Sequence, residues 1–190
     1  MKEQNTQPTA TNVEEVVGKS EAFINKYKVQ ITAAIVAIVV IIGGSVLYND
    51  YVVEPNIKAA SEAMFQAQNH FAAQEYDKAL NGDEQGNMGF IQIIDEYSGT
   101  PSANVANAYA GLSYAQLGQY DKAAATLVKA ADKANSQALS PIYLIQAGQI
   151  YEKLGKNSEA VKAYQTVKEK YPNNYLSMDI DKYIERASVK

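Results

Sequence analysis

Cysteine and tryptophan are missing from the 190-residue sequence, and histidine occurs once. The lack of cysteine excludes a disulfide framework, a thiolate metal site, a cysteine nucleophile and a lipid-modified N-terminal cysteine. Basic residues are not in excess either, since 17 Lys and Arg are outnumbered by 21 Asp and Glu. A net charge of −4 does not favour nucleic acid as a partner, because proteins that bind it normally have a strongly basic face.

Signatures of catalysis are also lacking. The sequence has no Gly-rich phosphate loop, no Ser/His/Asp set and no paired carboxylates in apolar surroundings. The single histidine, His70, occupies a position that the repeats described below give to tyrosine, which predicts a packed place between helices. We therefore expect a protein without catalytic activity, cofactor, metal site or small-molecule substrate.

One apolar run is long enough to cross a membrane. From Ile31 to Tyr48 no residue carries a charge, and as a helix this run is about 27 Å long, close to the thickness of a bilayer's hydrocarbon core. A cleaved signal peptide usually has a shorter apolar region and a brief basic start, whereas a longer stretch with several acidic residues precedes this run. We predict a retained transmembrane anchor helix over residues 23–53.

The charges beside this run predict its orientation. Lys19, Lys26 and Lys28 precede it, whereas Lys58 follows it together with acidic neighbours. Because positive flanks stay on the cytoplasmic side, we expect residues 1–22 in the cytoplasm and the rest of the chain exported. The first 22 residues are largely polar and poor in aromatics, which predicts a disordered tail.

Two segments of the sequence are similar to each other at an offset of 37 residues. They are AYAGLSYAQLGQYDKAAATLVKA (108–130) and IQAGQIYEKLGKNSEAVKAYQTV (145–167). In both, apolar and small residues recur at helical spacing on either side of a Gly-centred turn. Gly111 and Gly148 let a neighbouring helix approach closely. The matching pairs are Ala110/Ala147, Gly111/Gly148, Tyr114/Tyr151, Leu117/Leu154, Gly118/Gly155, Ala123/Ala160 and Leu127/Tyr164.

This pattern resembles the tetratricopeptide repeat, and a divergent unit precedes the two clear ones. Its EYDKAL parallels QYDKAA, then NGDEQGNMG (81–89) interrupts, and a helix resumes that should close on Pro101. The predicted fold class is all-α, with an N-terminal transmembrane helix followed by an α-solenoid of helical hairpins. The repeat domain covers residues 54–190, with repeats at about 60–102, 104–137 and 141–174 and a capping helix at 175–187.

The inserted segment has two interpretations. Residues 81–92 faintly resemble a calcium loop, but Asn81 and Gln92 stand where such a loop needs an acidic first ligand and a bidentate Glu. We therefore predict a Gly-rich connection and no metal. Whether the segment also contacts a partner, through Asn81, Asp83 and Asn87, stays open.

The first helix of each hairpin should line a concave binding groove. The side chains that the alignment places there are Met64, Gln68, Phe71, Ala108, Leu112, Ala115, Ile145, Gln149 and Glu152. Family members that grip acidic chaperone tails use Lys and Asn on this surface, and those residues are missing at the equivalent positions. A neutral, partly apolar groove favours a hydrophobic segment or helix as its occupant.

The whole layout resembles the bacterial ancillary subunits of the Sec translocon, which accompany a periplasmic prolyl isomerase-like chaperone. The resemblance includes FINKYKVQITAAIVAIVVIIGGSVLYNDYVVEPNIKAASEAMFQAQ. It implies a single-pass protein of the bacterial inner membrane with a periplasmic repeat domain. The implied function is a scaffold whose partners are translocon components, the chaperone or exported clients. Alternatives are a scaffold for envelope assembly or cell division and an organelle import receptor.

Overall fold

The structure is a computed structural model that describes the backbone of residues 10–189 and the side chains of residues 23–189. Every regular element in this part of the chain is helical, which confirms the predicted all-α fold. The chain divides between Val52 and Val53 into two compact units.

The first unit is built on one long helix, α1 (Ala10–Tyr48), which is followed by a π-helical segment, Asn49–Val53. Val40 and Ile41 are 66% and 69% exposed, so the apolar surface of α1 is uncovered. Among the described residues, the helical run Phe23–Ala72, which contains this apolar segment, is the one long and apolar enough to cross a membrane. The apolar segment within this run is a candidate membrane span by its length and composition.

The start of α1 differs from the sequence-based expectation. The helix begins at Ala10, whereas a disordered tail was predicted over residues 1–22. Extending an existing helix avoids the cost of nucleating a new one, so the polar residues from Ala10 onward continue the helix of the apolar run. Residues 1–9 lie outside the described part of the chain.

The second unit is a series of antiparallel helical hairpins. Each of the helices α5 to α8 packs on the next along the chain, and α9 packs on α8. The helices are α2 (Glu54–Ala72), α3 (Tyr76–Asn81), α4 (Phe90–Glu96), α5 (Pro101–Gln116), α6 (Tyr120–Ala134), α7 (Leu139–Lys153), α8 (Asn157–Lys170) and α9 (Ile180–Ser188), with a 3-10 turn at Tyr175–Asp179 before α9.

The three hairpins turn in the same way. Gln74, Gly118 and Gly155 each adopt a positive φ, of 63°, 74° and 71°. In each turn the next N–H donates to a carbonyl five residues earlier, at 2.9 Å. Glycine adopts this left-handed conformation without strain, whereas Gln74 carries a side chain there, which marks the first hairpin as divergent.

Pro101 has a different role from the one predicted. We expected the helix that resumes at Phe90 to close on Pro101, but α4 ends at Glu96 and Pro101 is the first residue of α5. Proline suits this place because the first helical N–H has no partner within the helix. The Thr100 side chain caps α5 by accepting from the Ala103 N–H at 3.2 Å.

Two apolar clusters form the core of the repeat unit. One joins α2, α3, α4 and α5 around Leu80, Phe90 and Ile93. The other joins α6, α7, α8 and α9 around Tyr164 and Ile180. The amphipathic α9 covers the last hairpin, as a capping helix does in a stack of repeats.

Candidate functional site

The predicted groove residues lie on α2, α5 and α7, the first helices of the three hairpins. Three of them are buried, because Met64 is 5%, Ala108 3% and Ile145 8% exposed. Each lies three residues before the small residue at which the helices approach most closely, so it shares the buried stripe of its helix. Packing therefore covers these three side chains, which were predicted to line the groove.

Five other groove residues keep accessible surface. Gln68, Phe71, Leu112 and Ala115 are half-buried, and Gln149 is exposed. Phe71 contacts the rings of three other aromatic side chains edge-on at centroid distances of 5.1 to 6.4 Å, which fixes its position.

The structure adds residues that the sequence argument missed. Ala72, Gln116 and Lys153 are exposed and lie one helical turn after Gln68, Leu112 and Gln149. The repeat alignment could have identified them, because each stands four positions after a predicted groove residue on the same helix. We call the accessible strip the first-helix face, which comprises Gln68, Phe71, Ala72, Leu112, Ala115, Gln116, Gln149 and Lys153.

The first-helix face carries a single charge among these residues. Lys153 lies with its Nζ 3.8 Å from the centroid of the Tyr120 ring and donates to the Tyr120 hydroxyl. The remaining members are amides and apolar side chains. Such a face suits a mainly apolar, uncharged segment of another protein.

Glu152 was predicted to line the groove, but its carboxylate holds the capping helix. The Tyr164 hydroxyl donates to Glu152 Oε1 at 2.7 Å, and Arg186 on α9 donates to both carboxylate oxygens. The Glu152 side chain is only 7% exposed. Burial, and then the hydrogen bond to Glu152, raise the pKa of Tyr164, and the same carboxylate raises the pKa of Arg186. The network therefore holds α7, α8 and α9 together, and it leaves the Glu152 carboxylate little surface with which to contact a partner.

The inserted segment between α3 and α4 is a compact turn closed on itself. Asp83 Oδ1 accepts from the backbone N–H groups of Gln85 and Asn87 at 3.0 and 2.9 Å, and Oδ2 accepts from Asn87 Nδ2 at 2.7 Å. A Cβ built on Gly89 would lie 2.4 Å from the Gly82 nitrogen, so the two ends of the segment meet.

This geometry decides which side chains of the segment could touch a partner. Asp83 and Asn87 point at each other within the turn, and the Asp83 side chain is 4% exposed. Asn81 is exposed and donates to Asp77 at 3.0 Å. The exposed tip consists of residues 84–86. Contact between the segment and a partner stays a prediction.

His70 bridges two carboxylates, which the sequence did not reveal. Its Nδ1 lies 2.6 Å from Glu75 Oε2, and its Nε2 lies 2.9 Å from Asp83 Oδ2. These hydrogen bonds, that to Glu75 first, raise the pKa of His70. The hydrogen bond from the Asn87 side chain is the main cause that lowers the pKa of Asp83 to about 2. We predicted a packed tyrosine-like place for His70, whereas its ring serves as a polar link.

The described residues contain no group of three or more His, Cys, Asp or Glu side chains that could hold a metal ion. The acidic side chains that meet around His70 instead accept hydrogen bonds from protein donors. Lys78 donates to Glu75 at 2.8 Å, and this bond is the main cause that lowers the pKa of Glu75.

Comparison with known proteins identifies the repeat type. A family model described as a tetratricopeptide repeat-like domain matches residues 21–177, which is more than half of the chain. The matched region contains the apolar part of α1 and all the helices from α2 to α8. No curated protein and no solved structure matches the chain significantly.

Proposed function

Because the chain belongs to the tetratricopeptide repeat-like domain family, we propose that it is a membrane-anchored scaffold that binds other proteins and performs no catalysis. Repeats of this type are typically protein-interaction modules, since stacked hairpins present an extended surface. The partners in this proposal are components of the Sec translocon, a periplasmic chaperone or exported client proteins.

The observation that carries the proposal is the first-helix face. It runs across three consecutive hairpins and keeps its side chains accessible, although the positions beside it are buried. Residues at the same register on α2, α5 and α7 offer a partner one repeated set of contacts. The mixed apolar and amide chemistry favours an apolar helix or extended segment over an acidic tail.

The location in this proposal is the bacterial inner membrane, with the N-terminus in the cytoplasm and the repeats in the periplasm. The candidate span and the lysines that precede it support this orientation. A reporter active only outside the cytoplasm should work when fused after Lys190 and fail when fused before Lys19. The reverse pattern would overturn both the location and the partner class.

Crosslinking in native membranes, followed by mass spectrometry, tests the binding face. The variant Leu112→Glu/Gln149→Glu places two charges on it and should lower partner capture at least about tenfold, since central interface residues contribute about 2 kcal/mol or more. The matched control, Ala125→Glu/Gln165→Glu, places the same charges on exposed positions of α6 and α8 and should capture partners normally.

Helicity measured by circular dichroism should be unchanged in both variants. Leu112 is half-buried, so Gln116→Glu/Gln149→Glu, at two exposed positions, serves if the first variant unfolds. Equal capture by the face variants and the control would exclude the first-helix face. Loss of capture only on deletion of residues 83–87 would assign binding to the inserted segment instead.

A further inference from the structure

The contacts of His70 determine the protonation state of its ring. Asp83 receives hydrogen bonds from three N–H groups of Gln85 and Asn87, and Glu75 receives one from Lys78, so both carboxylates act as acceptors. A neutral imidazole has one N–H and could satisfy only one of them. With a carboxylate oxygen within 2.9 Å of each ring nitrogen, the imidazolium is the form that satisfies both carboxylates, because both of its nitrogens donate.

The charges around the ring favour this cation. Glu75 comes from the turn after α2, and Asp83 comes from the inserted segment. Lys78 on α3 pairs with Glu75 at 2.8 Å, and the charge of Glu84 acts on Lys78. The charges of this group, two cations and three anions, sum to a net negative value. The His70 side chain is 19% exposed, so water can exchange its proton.

The bridge fastens the inserted segment to the end of α2. Asp83 accepts from His70 and also closes the turn through Gln85 and Asn87, so one carboxylate joins both structures. The segment's own backbone adds two bonds between Asp83 and residues 86 and 87, at 3.2 and 3.1 Å. Loss of the His70 contact would therefore leave Asp83 with its local bonds but without its tie to α2.

We propose that His70 is a protonation-dependent bridge that fixes the 83–87 turn to α2 while the ring is an imidazolium and releases this turn when the ring loses a proton. The inference goes beyond protein binding and does not depend on it. Release frees a carboxylate-bearing turn next to α2 and removes one positive charge from an acidic cluster. The segment is then both more mobile and more negative.

The pH window follows from the direction of each shift. The pKa of His70 is raised above its ordinary 6.5, so its contribution is complete below that value and is lost as the pH rises through the folded-state pKa. The pKa of Asp83 is lowered from 3.8 to about 2, so its contribution is complete above 3.8 and is lost as the pH falls toward 2. The turn is held most firmly between pH 3.8 and pH 6.5, and a pH above the folded-state pKa of His70 releases it.

The wild-type full chain in detergent micelles tests the bridge directly. His70 is the only histidine, so a chain labelled with ¹³C in histidine gives one ring signal whose pH titration reports this group alone. The midpoint should lie above 6.5. Across the same midpoint, the exchange protection of the amides of residues 83–87 should fall about tenfold. A factor of this size corresponds to the loss of one charge-assisted hydrogen bond.

Amides of α6 (Tyr120–Ala134), measured in the same samples, correct for the dependence of intrinsic exchange on pH. A ring that titrates at or below 6.5 would overturn the proposal. A segment whose protection relative to α6 is constant through the titration would overturn it as well. Neither measurement depends on a variant that might fail to fold.

Variants then assign the partner groups. Asp83→Asn and Glu75→Gln should each lower the His70 midpoint, while Glu62→Gln, an exposed carboxylate on the same helix, should leave it unchanged. His70→Gln should give low segment protection, without a transition, across the pH range in which the wild-type ring titrates. A release that persists in that range in His70→Gln would assign the effect to another group and refute the bridge.

Discussion

Tyr164 on α8 packs its ring directly on Gly148 of α7. A Cβ built on Gly148 would lie 2.3 Å from Tyr164 Cε1 and 2.6 Å from Cζ, far inside any normal contact. The ring is fully buried, and its hydroxyl donates to Glu152 at 2.7 Å, so it cannot easily move away. The preceding hairpin repeats the arrangement with Gly111 and Leu127, where the added Cβ would meet Leu127 Cγ at 2.8 Å.

Gly148→Ala should therefore destabilise the repeat unit although alanine is the better helix former. The gain in helix propensity is about 1 kcal/mol, and overpacking costs about 1–3 kcal/mol when the neighbour is fixed. We expect a net loss, with a larger one for Gly148→Leu, in chemical denaturation followed by circular dichroism. Gly111→Ala should cost less, because its added Cβ would come no nearer than 2.8 Å to Leu127. A Gly148→Ala protein as stable as wild type would contradict this packing.

The close approach at these two glycines could be predicted from sequence, because the signal is local and repeats at a fixed offset. The turn of the first hairpin could be predicted from the likeness of EYDKAL to QYDKAA, although its offset differs. Burial of Met64, Ala108 and Ile145 could not, since helical spacing alone does not say which of two neighbouring stripes faces the partner helix.

The contacts of His70 and Glu152 could not be predicted from the sequence, for a different reason. His70 meets Asp83 only because the inserted segment folds back, and Glu152 meets Arg186 across 34 residues. No periodic pattern marks either pair. The first-helix face was predicted in part, because five of the nine proposed groove residues keep accessible surface without being tied to the capping helix.

The repeat unit should fold without the candidate span. The division of the chain at Val52/Val53 predicts that a fragment of residues 53–190 is soluble, helical and cooperative in thermal unfolding. Its apolar clusters are formed by its own helices, so no essential core contact is removed. Circular dichroism and sedimentation should show a folded monomer or weak dimer. A broad, non-cooperative transition would show that the first unit contributes to the core.

Acid should loosen the inserted segment through Asp83. Its pKa of about 2 means that its stabilising contribution is complete above the ordinary 3.8 and declines as the pH falls toward 2. Hydrogen exchange of residues 83–87 should therefore lose protection between pH 4 and pH 2 in wild type. Asp83→Asn should be poorly protected throughout, whereas the exposed Asp95→Asn should behave as wild type. Equal acid sensitivity in wild type and Asp83→Asn would contradict the assignment.

Arg186 should be the residue that holds α9 on the last hairpin. Arg186→Leu takes the guanidinium away from the Glu152 carboxylate, whose side chain is 7% exposed. We expect the free energy of unfolding to fall by about 1–3 kcal/mol, because a buried carboxylate without its cationic partner is left with little solvation. Lys182→Leu on the same helix breaks a pair whose side chains are 79% and 66% exposed, so it should cost clearly less than Arg186→Leu.

A double-mutant cycle with Glu152→Gln separates the pair from simple packing. If the ion pair carries the effect, the double variant should cost less than the sum of the two single variants, with a coupling of about 1–2 kcal/mol. Exchange protection of the α9 amides should fall in Arg186→Leu and be unchanged in Lys182→Leu. Additive costs, or equal losses for Arg186→Leu and Lys182→Leu, would mean that the apolar side of α9, with Ile180 and Ala187 buried, holds the cap by itself.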